Sequence, residues 1–164
     1  MSRMDDAPTP PARARHALDV LVSSEAGRLP LSRARVAAIG RRVLAGERCR
    51  SAVLTIAFVT DRTMARLNRR HLGHTGATDI ITFAHAPAAP VLPLVGDVYI
   101  APAVARRNAA AFGCTVREEL ARLTVHGVLH ALGFEHPEGA ERQRSPMWRR
   151  QERWVRRLRA EGAW

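Results

Sequence analysis

The chemistry of this chain is concentrated in one segment, VHGVLHALGFEHP, which carries His126, His130 and His136 in the pattern H-x-x-x-H-x-x-G-x-x-H. His126 and His130 are four residues apart, so on a helix both imidazoles share one face. Gly133 can take the left-handed conformation that ends a helix, and the returning chain can bring His136 to the same point. Three neutral ring nitrogens converging there suit a divalent metal, with zinc the best match. Three protein ligands leave a fourth position for water, which is the arrangement of a catalytic site; a structural site closes with four. The pattern therefore predicts one zinc per chain, held by His126, His130 and His136.

What the segment lacks narrows the chemistry. Metzincin proteases share this spacing but carry glutamate directly after the first histidine, as general base. Gly127 stands there in this chain and cannot take a proton from water. The nearest carboxylate in sequence is Glu135, beside the third histidine. Three roles are open to it: general base, orienting partner of a ligand, or solvated surface charge. Peptidase chemistry is disfavoured on this ground.

The scaffold around these groups can be read from composition and pattern. A chain of 164 residues, 46% hydrophobic, forms one domain with room for a real core. No apolar run reaches the roughly 18 residues of a membrane-spanning helix. Residues 1–15 lack the apolar stretch of a signal peptide; their proline and charge predict a disordered tail. A single metallohydrolase domain is expected over residues 16–161.

The formal net charge is +11, and all 26 basic residues are arginine. A GC-rich genome explains arginine in place of lysine, but not the excess over 15 acidic residues. That excess favours a nucleic-acid or ribonucleoprotein partner, since guanidinium groups grip phosphates in a bidentate way. Cys49 and Cys114 form no C-x-x-C pair and read as free thiols of a cytoplasmic protein.

Residues 17–22 (ALDVLV) predict a first strand. Ser32 caps a helix in which Val36, Ile39 and Val43 recur at helical spacing up to Gly46. Residues 52–59 (AVLTIAFV) predict a central strand, Asp61 opens a helix ending near Gly73, and residues 79–83 (DIITF) predict another strand. The segment AHAPAAPVLPLV, with Pro87, Pro90 and Pro93, predicts a surface loop. Residues 97–100 (DVYI) predict a strand, and residues 103–112 a helix stopped by Gly113. Thr115 and Glu118 form a capping box for the histidine-bearing helix, so Glu118 is read as a cap and not as a catalytic residue. A last helix is predicted over residues 141–161, with Trp148, Val155 and Leu158 on its apolar stripe and arginines on the other face. The order predicts an α/β (α+β) fold: a small mixed sheet with helices packed on it, and the metal site on a helix and the turn after it.

Several of these segments together resemble one family. LNRRHLGHTGATDIITF, VGDVYI and the VHGVLHALGFEH run are similar to successive signatures of the YbeY family, bacterial zinc-dependent endoribonucleases of rRNA maturation. MWRRQERWV is similar to the family's closing helix, and the resemblance runs from about residue 50 to residue 158. It implies one zinc held by His126, His130 and His136, and metal-assisted cleavage of single-stranded RNA. It also implies work at the ribosome: processing of the small-subunit rRNA 3′ end and quality control, with rRNA and ribosomal proteins as partners. Two positions depart from the family's pattern. Leu72 stands where the family commonly has an arginine; two roles are open to Arg69 and Arg70, substitution for it as a phosphate-binding residue or a place on a solvated helix face. Glu135 stands where the family often has aspartate. His71, His74 and His85 are not expected to be ligands.

Spacing does not choose the nucleophile: activated water or the substrate's own 2′-hydroxyl could attack the phosphorus. Aromatic residues make up only 5% of the chain, too few to predict tight sequence readout by base stacking. Two other readings stay open. A zinc metallopeptidase or other zinc hydrolase fits the histidines but neither the charge nor Gly127. A non-catalytic RNA- or ribosome-binding factor with a structural metal fits the charge but not an open three-ligand site.

Overall fold

Alternation of apolar residues builds the sheet. In β2 (Ala52–Phe58) the side chains of Ala52, Leu54, Ile56 and Phe58 are buried and those between them are not, the period-two pattern of a strand with one well-covered face. The computed structural model of the protein describes residues 17–164 apart from 86, 88, 90 and 91. The tail expected over residues 1–15 lies outside the described residues, as does Pro90. β1 (Leu18–Ser24) pairs parallel with β2, and β2 parallel with β4 (Leu94–Ile100). β3 (Ile80–His85) pairs antiparallel with β4, giving the order β1-β2-β4-β3. The mixed sheet and the interior position of β2 agree with the sequence. The strand predicted over residues 97–100 begins earlier. Leu94 N–H donates to the Ser51 carbonyl at 3.0 Å, so parallel pairing with β2 starts directly after Pro93; residues 94–95, and Ala84 and His85 at the end of β3, are strand, not loop.

Helices cover the two faces unequally. α1 (Arg33–Gly46), α4 (Val116–Ala131) and α5 (Pro146–Ala160) join the main core, with Val43, Leu120, Val128, Trp154 and Leu158 among its buried members. α3 (Pro102–Phe112) starts at a proline, whose missing N–H is harmless at that position, and packs beside α4. The opposite sheet face carries a smaller cluster, Val59, Met64, Ile81 and Ala101, through which α2 (Asp61–Leu72) docks. β3 is thus an edge strand with α4 near one face and α2 near the other. No helix among the described residues is long and apolar enough to cross a membrane.

The final helix is shorter than the sequence pattern suggested. Gly139–Arg144 form a 3₁₀ turn, and α5 starts only at Pro146. Pro146 has no N–H for the Arg142 carbonyl, and its ring would clash there, so one helix cannot run through. Ser145 becomes the cap, its Oγ accepting from Trp148 N–H at 3.1 Å. The buried stripe is Met147, Gln151, Trp154, Val155 and Leu158. Trp148, expected on that stripe, is half-buried on another side, and Trp154 holds the core position.

Candidate metal centre

Helix α4 delivers His126 and His130, and its end delivers His136. Gly133 has φ +88°, its N–H donates to the His130 carbonyl at 2.9 Å, and Phe134 N–H donates to the Leu129 carbonyl at 3.0 Å. This is the paired closure of a left-handed helix stop, with Phe134 packed back on the core. The reversal carries His136 to within 3.3 Å of His130 and 3.4 Å of His126, each measured Nε2 to Nε2. All three ligand atoms lie within 4.8 Å of one another.

The outer nitrogens explain why the inner ones converge as bare lone pairs. His126 Nδ1–H donates to Gln151 Oε1 at 2.7 Å. The Gln151 amide is itself oriented, because its NH₂ group donates to Glu152 at 3.0 Å. His136 Nδ1 lies 2.9 Å from the Pro137 carbonyl, and His130 Nδ1 lies 3.4 Å from the Glu135 carboxylate. An oxygen acceptor on each Nδ1 leaves each Nε2 unprotonated in the neutral ring. Three lone pairs facing one point repel unless a cation sits between them. Tetrahedral zinc with Zn–N bonds of about 2.0–2.1 Å separates neighbouring ligand atoms by roughly 3.3 Å, which matches the two short separations here. The donor set therefore fits such an ion.

Electrostatics favour the same protonation state. Burial pushes His126 down to about 3, outweighing the Gln151 hydrogen bond, with the charges of His130, Arg142 and His136 acting in the same direction as burial. Burial also lowers His130, against the pull of Glu135. His126 is buried whereas His130 and His136 are half-buried, so the site opens on one side. It opens into a cleft of about 590 Å³ running along β3, lined by Thr82, Asn68 and Leu72 among others. A second cavity of about 1060 Å³, walled by α3, α4 and α5, adjoins it; Asp79, His126, Gly139 and Arg142 line both.

Gly127 has a packing reason as well as a chemical consequence. A Cβ there would lie 2.4 Å from Val98 Cγ1, so α4 lies too close to β4 for any side chain at that position. A glutamate base after the first histidine has no room.

The residues singled out in the sequence sort clearly in space. Glu135 reaches the far nitrogen of His130 and is 78% exposed. Arg69 and Arg70 do not reach the histidines. Asn68 and Leu72, four residues apart, turn toward the cleft, while Arg69 and Arg70 lie exposed on other sides of α2. His71 stacks edge-on against Phe83, and His71, His74 and His85 all stand outside the three-histidine cluster. Thr115 Oγ accepts Glu118 N–H at 3.2 Å, but the Glu118 carboxylate turns to Arg122 and Arg159, so only half of the capping box forms. Gln151, Arg142 and Thr82 were not singled out. Gln151 had a readable signal, because it falls on the buried stripe of α5, four residues from both Met147 and Val155.

The family model described as Endoribonuclease YbeY matches residues 24–159. A protein named Endoribonuclease YbeY from Frankia alni is 34% identical to this chain, over 79% of it and 77% of the relative. One of the same name from Pelotomaculum thermopropionicum is 33% identical, over 86% of this chain and 97% of the relative. The solution structure of a Thermotoga maritima protein superposes with a TM-score of 0.58 at 20% identity, covering 87% of this chain and 90% of that one. At that identity the likeness shows the fold alone.

Proposed function

The chain belongs to the YbeY endoribonuclease family, and we propose on that footing that it is a zinc-dependent endoribonuclease. It cleaves single-stranded RNA in rRNA processing, at the 3′ end of the small-subunit RNA, and in ribosome quality control. The observation that carries this reading is the convergence of three Nε2 lone pairs on one open point. Zinc bound there would supply Lewis acidity toward a phosphoryl oxygen and lower the pKa of water to about 7.

The protein's own groups do the rest. His126, His130 and His136 are the ligands, and burial disfavours the charged form of the first two. Gln151 orients His126, the Pro137 carbonyl orients His136, and Glu135 orients His130. Glu135 is thus an orienting residue, since its carboxylate contacts the nitrogen that faces away from the metal point. The cleft beside β3 receives the strand, and the net charge of +11 supports a polyanionic substrate. Ribosomal RNA and neighbouring ribosomal proteins are the partners, in the cytoplasm; the free thiols of Cys49 and Cys114 support a reducing compartment.

Zinc-loaded protein is expected to cut single-stranded RNA, to leave an unfolded protein substrate intact, and to stop when zinc is chelated. Cleavage of the protein substrate would favour a peptidase. Tight RNA binding without cleavage would favour a binding factor with a structural metal.

A further inference from the structure

We propose that Arg142 forms a phosphate-binding subsite at the saddle between the metal cleft and the adjoining cavity, where its guanidinium grips a phosphodiester of the RNA strand. This rests on the endoribonuclease reading above and assigns the cation that the family resemblance leaves missing at Leu72.

The place of Arg142 is fixed by the chain. Because Pro146 stops α5 from running through, residues 139–144 form a 3₁₀ turn, and that turn brings Arg142 to the wall shared by both cavities, with His126. Its carbonyl accepts from Ser145 N–H at 3.1 Å and from Ser145 Oγ at 2.7 Å, which anchors the residue. Trp148 lies behind the guanidinium, 5.8 Å from ring centroid to Cζ.

The hydrogen bonding of Arg142 is incomplete. Among the described residues its buried Nε has no hydrogen-bond partner, and no carboxylate pairs with its guanidinium. A buried, unpaired donor on a charged group is costly, and an acceptor ligand bound at the shared cavity wall would offset that cost. The ligand must offer acceptor oxygens and negative charge, which a phosphodiester supplies in the geometry a guanidinium prefers.

The competing cations are accounted for. In the adjoining cavity Arg122 is engaged by Glu118, Glu119 and Glu152 at 3.0, 3.1 and 3.0 Å, and Arg159 by Glu118. Arg69 and Arg70 lie outside the cleft lining. Leu72 presents an aliphatic side chain to the cleft wall. Arg142 is the arginine that faces both the histidine cluster and open space.

Binding of an uncleavable 2′-O-methyl single-stranded oligonucleotide to the zinc-loaded full chain, by fluorescence anisotropy from about 50 to 200 mM salt, tests this apart from catalysis. Arg142→Ala should bind about 10-fold or more weakly, with a log–log salt slope shallower by about 0.7, while keeping the parent's zinc content. Arg142→Lys should recover the slope but only part of the affinity, because a point charge lacks the planar fork. Leu72→Arg added to Arg142→Ala should restore slope and part of the affinity from the opposite wall. Parent-like affinity and slope in Arg142→Ala would overturn the proposal. So would loss of zinc together with binding, which would trace the effect to the histidines, and so would a double variant no better than the single one. If the parent binds this probe but does not cut ordinary RNA of the same sequence, the endoribonuclease reading fails while the subsite stands.

Discussion

Arg122 and Arg142 line the same cavity and are used in opposite ways. Arg122 donates to three carboxylates, so its charge is consumed inside the protein. Arg142 keeps a buried Nε with no partner among the described residues. The same contrast runs through the groups behind the histidines. Gln151 is buried and holds His126 at 2.7 Å, whereas Glu135 is 78% exposed and stands 3.4 Å from His130. Internal satisfaction, not residue type, separates scaffold from site here. In a chain with 26 arginines, composition cannot tell the two apart.

Arg122→Ala should have the largest effect that sharpens this contrast. It strands the buried Glu119, while Glu118 keeps Arg159 and Glu152 keeps the Gln151 amide, and removing the partner of such a buried carboxylate costs about 3 kcal/mol, read by urea unfolding. Burial already holds the Glu119 acid above its usual range, against the hydrogen bond and charge of Arg122. Without Arg122 the folded state binds that proton more readily still than the unfolded state does. The deficit should therefore be greatest near neutral pH and shrink as pH falls. Parent-like unfolding would erase the distinction between a structural arginine and a binding one. A smaller effect should separate the two orienting residues. Gln151→Leu should lower zinc affinity by about 10- to 100-fold in a chelator competition. Glu135→Gln should lower it only a few-fold, roughly, because water competes for an exposed, longer contact. Equal losses would remove the contrast between the inner and outer walls.

The histidine cluster was legible in the sequence because its geometry is local. Two histidines one helical turn apart, a glycine able to take positive φ and a third histidine just after it specify the cluster. The sheet was legible from the β-branched, apolar run of residues 52–59, but the start of β4 was hidden by Pro93, which precedes the first paired residue. Arg69 and Arg70 lie exposed on α2, outside the cleft lining. Consecutive helix positions diverge by about 100°, and Asn68 and Leu72 hold the cleft side. The place of Gln151 on the apolar stripe of α5 was readable, but its partner was not, because it acts on His126, 25 residues away. Arg142 depends on where α5 begins, and the Ser145–Pro146 pair was a readable start signal for it. Its missing hydrogen-bond partner has no signature in sequence, since that depends on what the fold brings near.

The central claim is that three histidines hold the metal on which RNA cleavage depends. Its most direct test is elemental analysis of the parent and of His130→Ala, purified without chelator, with RNA cleavage measured on the same samples. The parent should carry about one zinc per chain and cut single-stranded RNA, and His130→Ala should lose zinc and cleavage together, because two imidazoles do not hold the ion firmly. A His130→Ala protein with full zinc occupancy, or one that cuts RNA at the parent's rate, would contradict it.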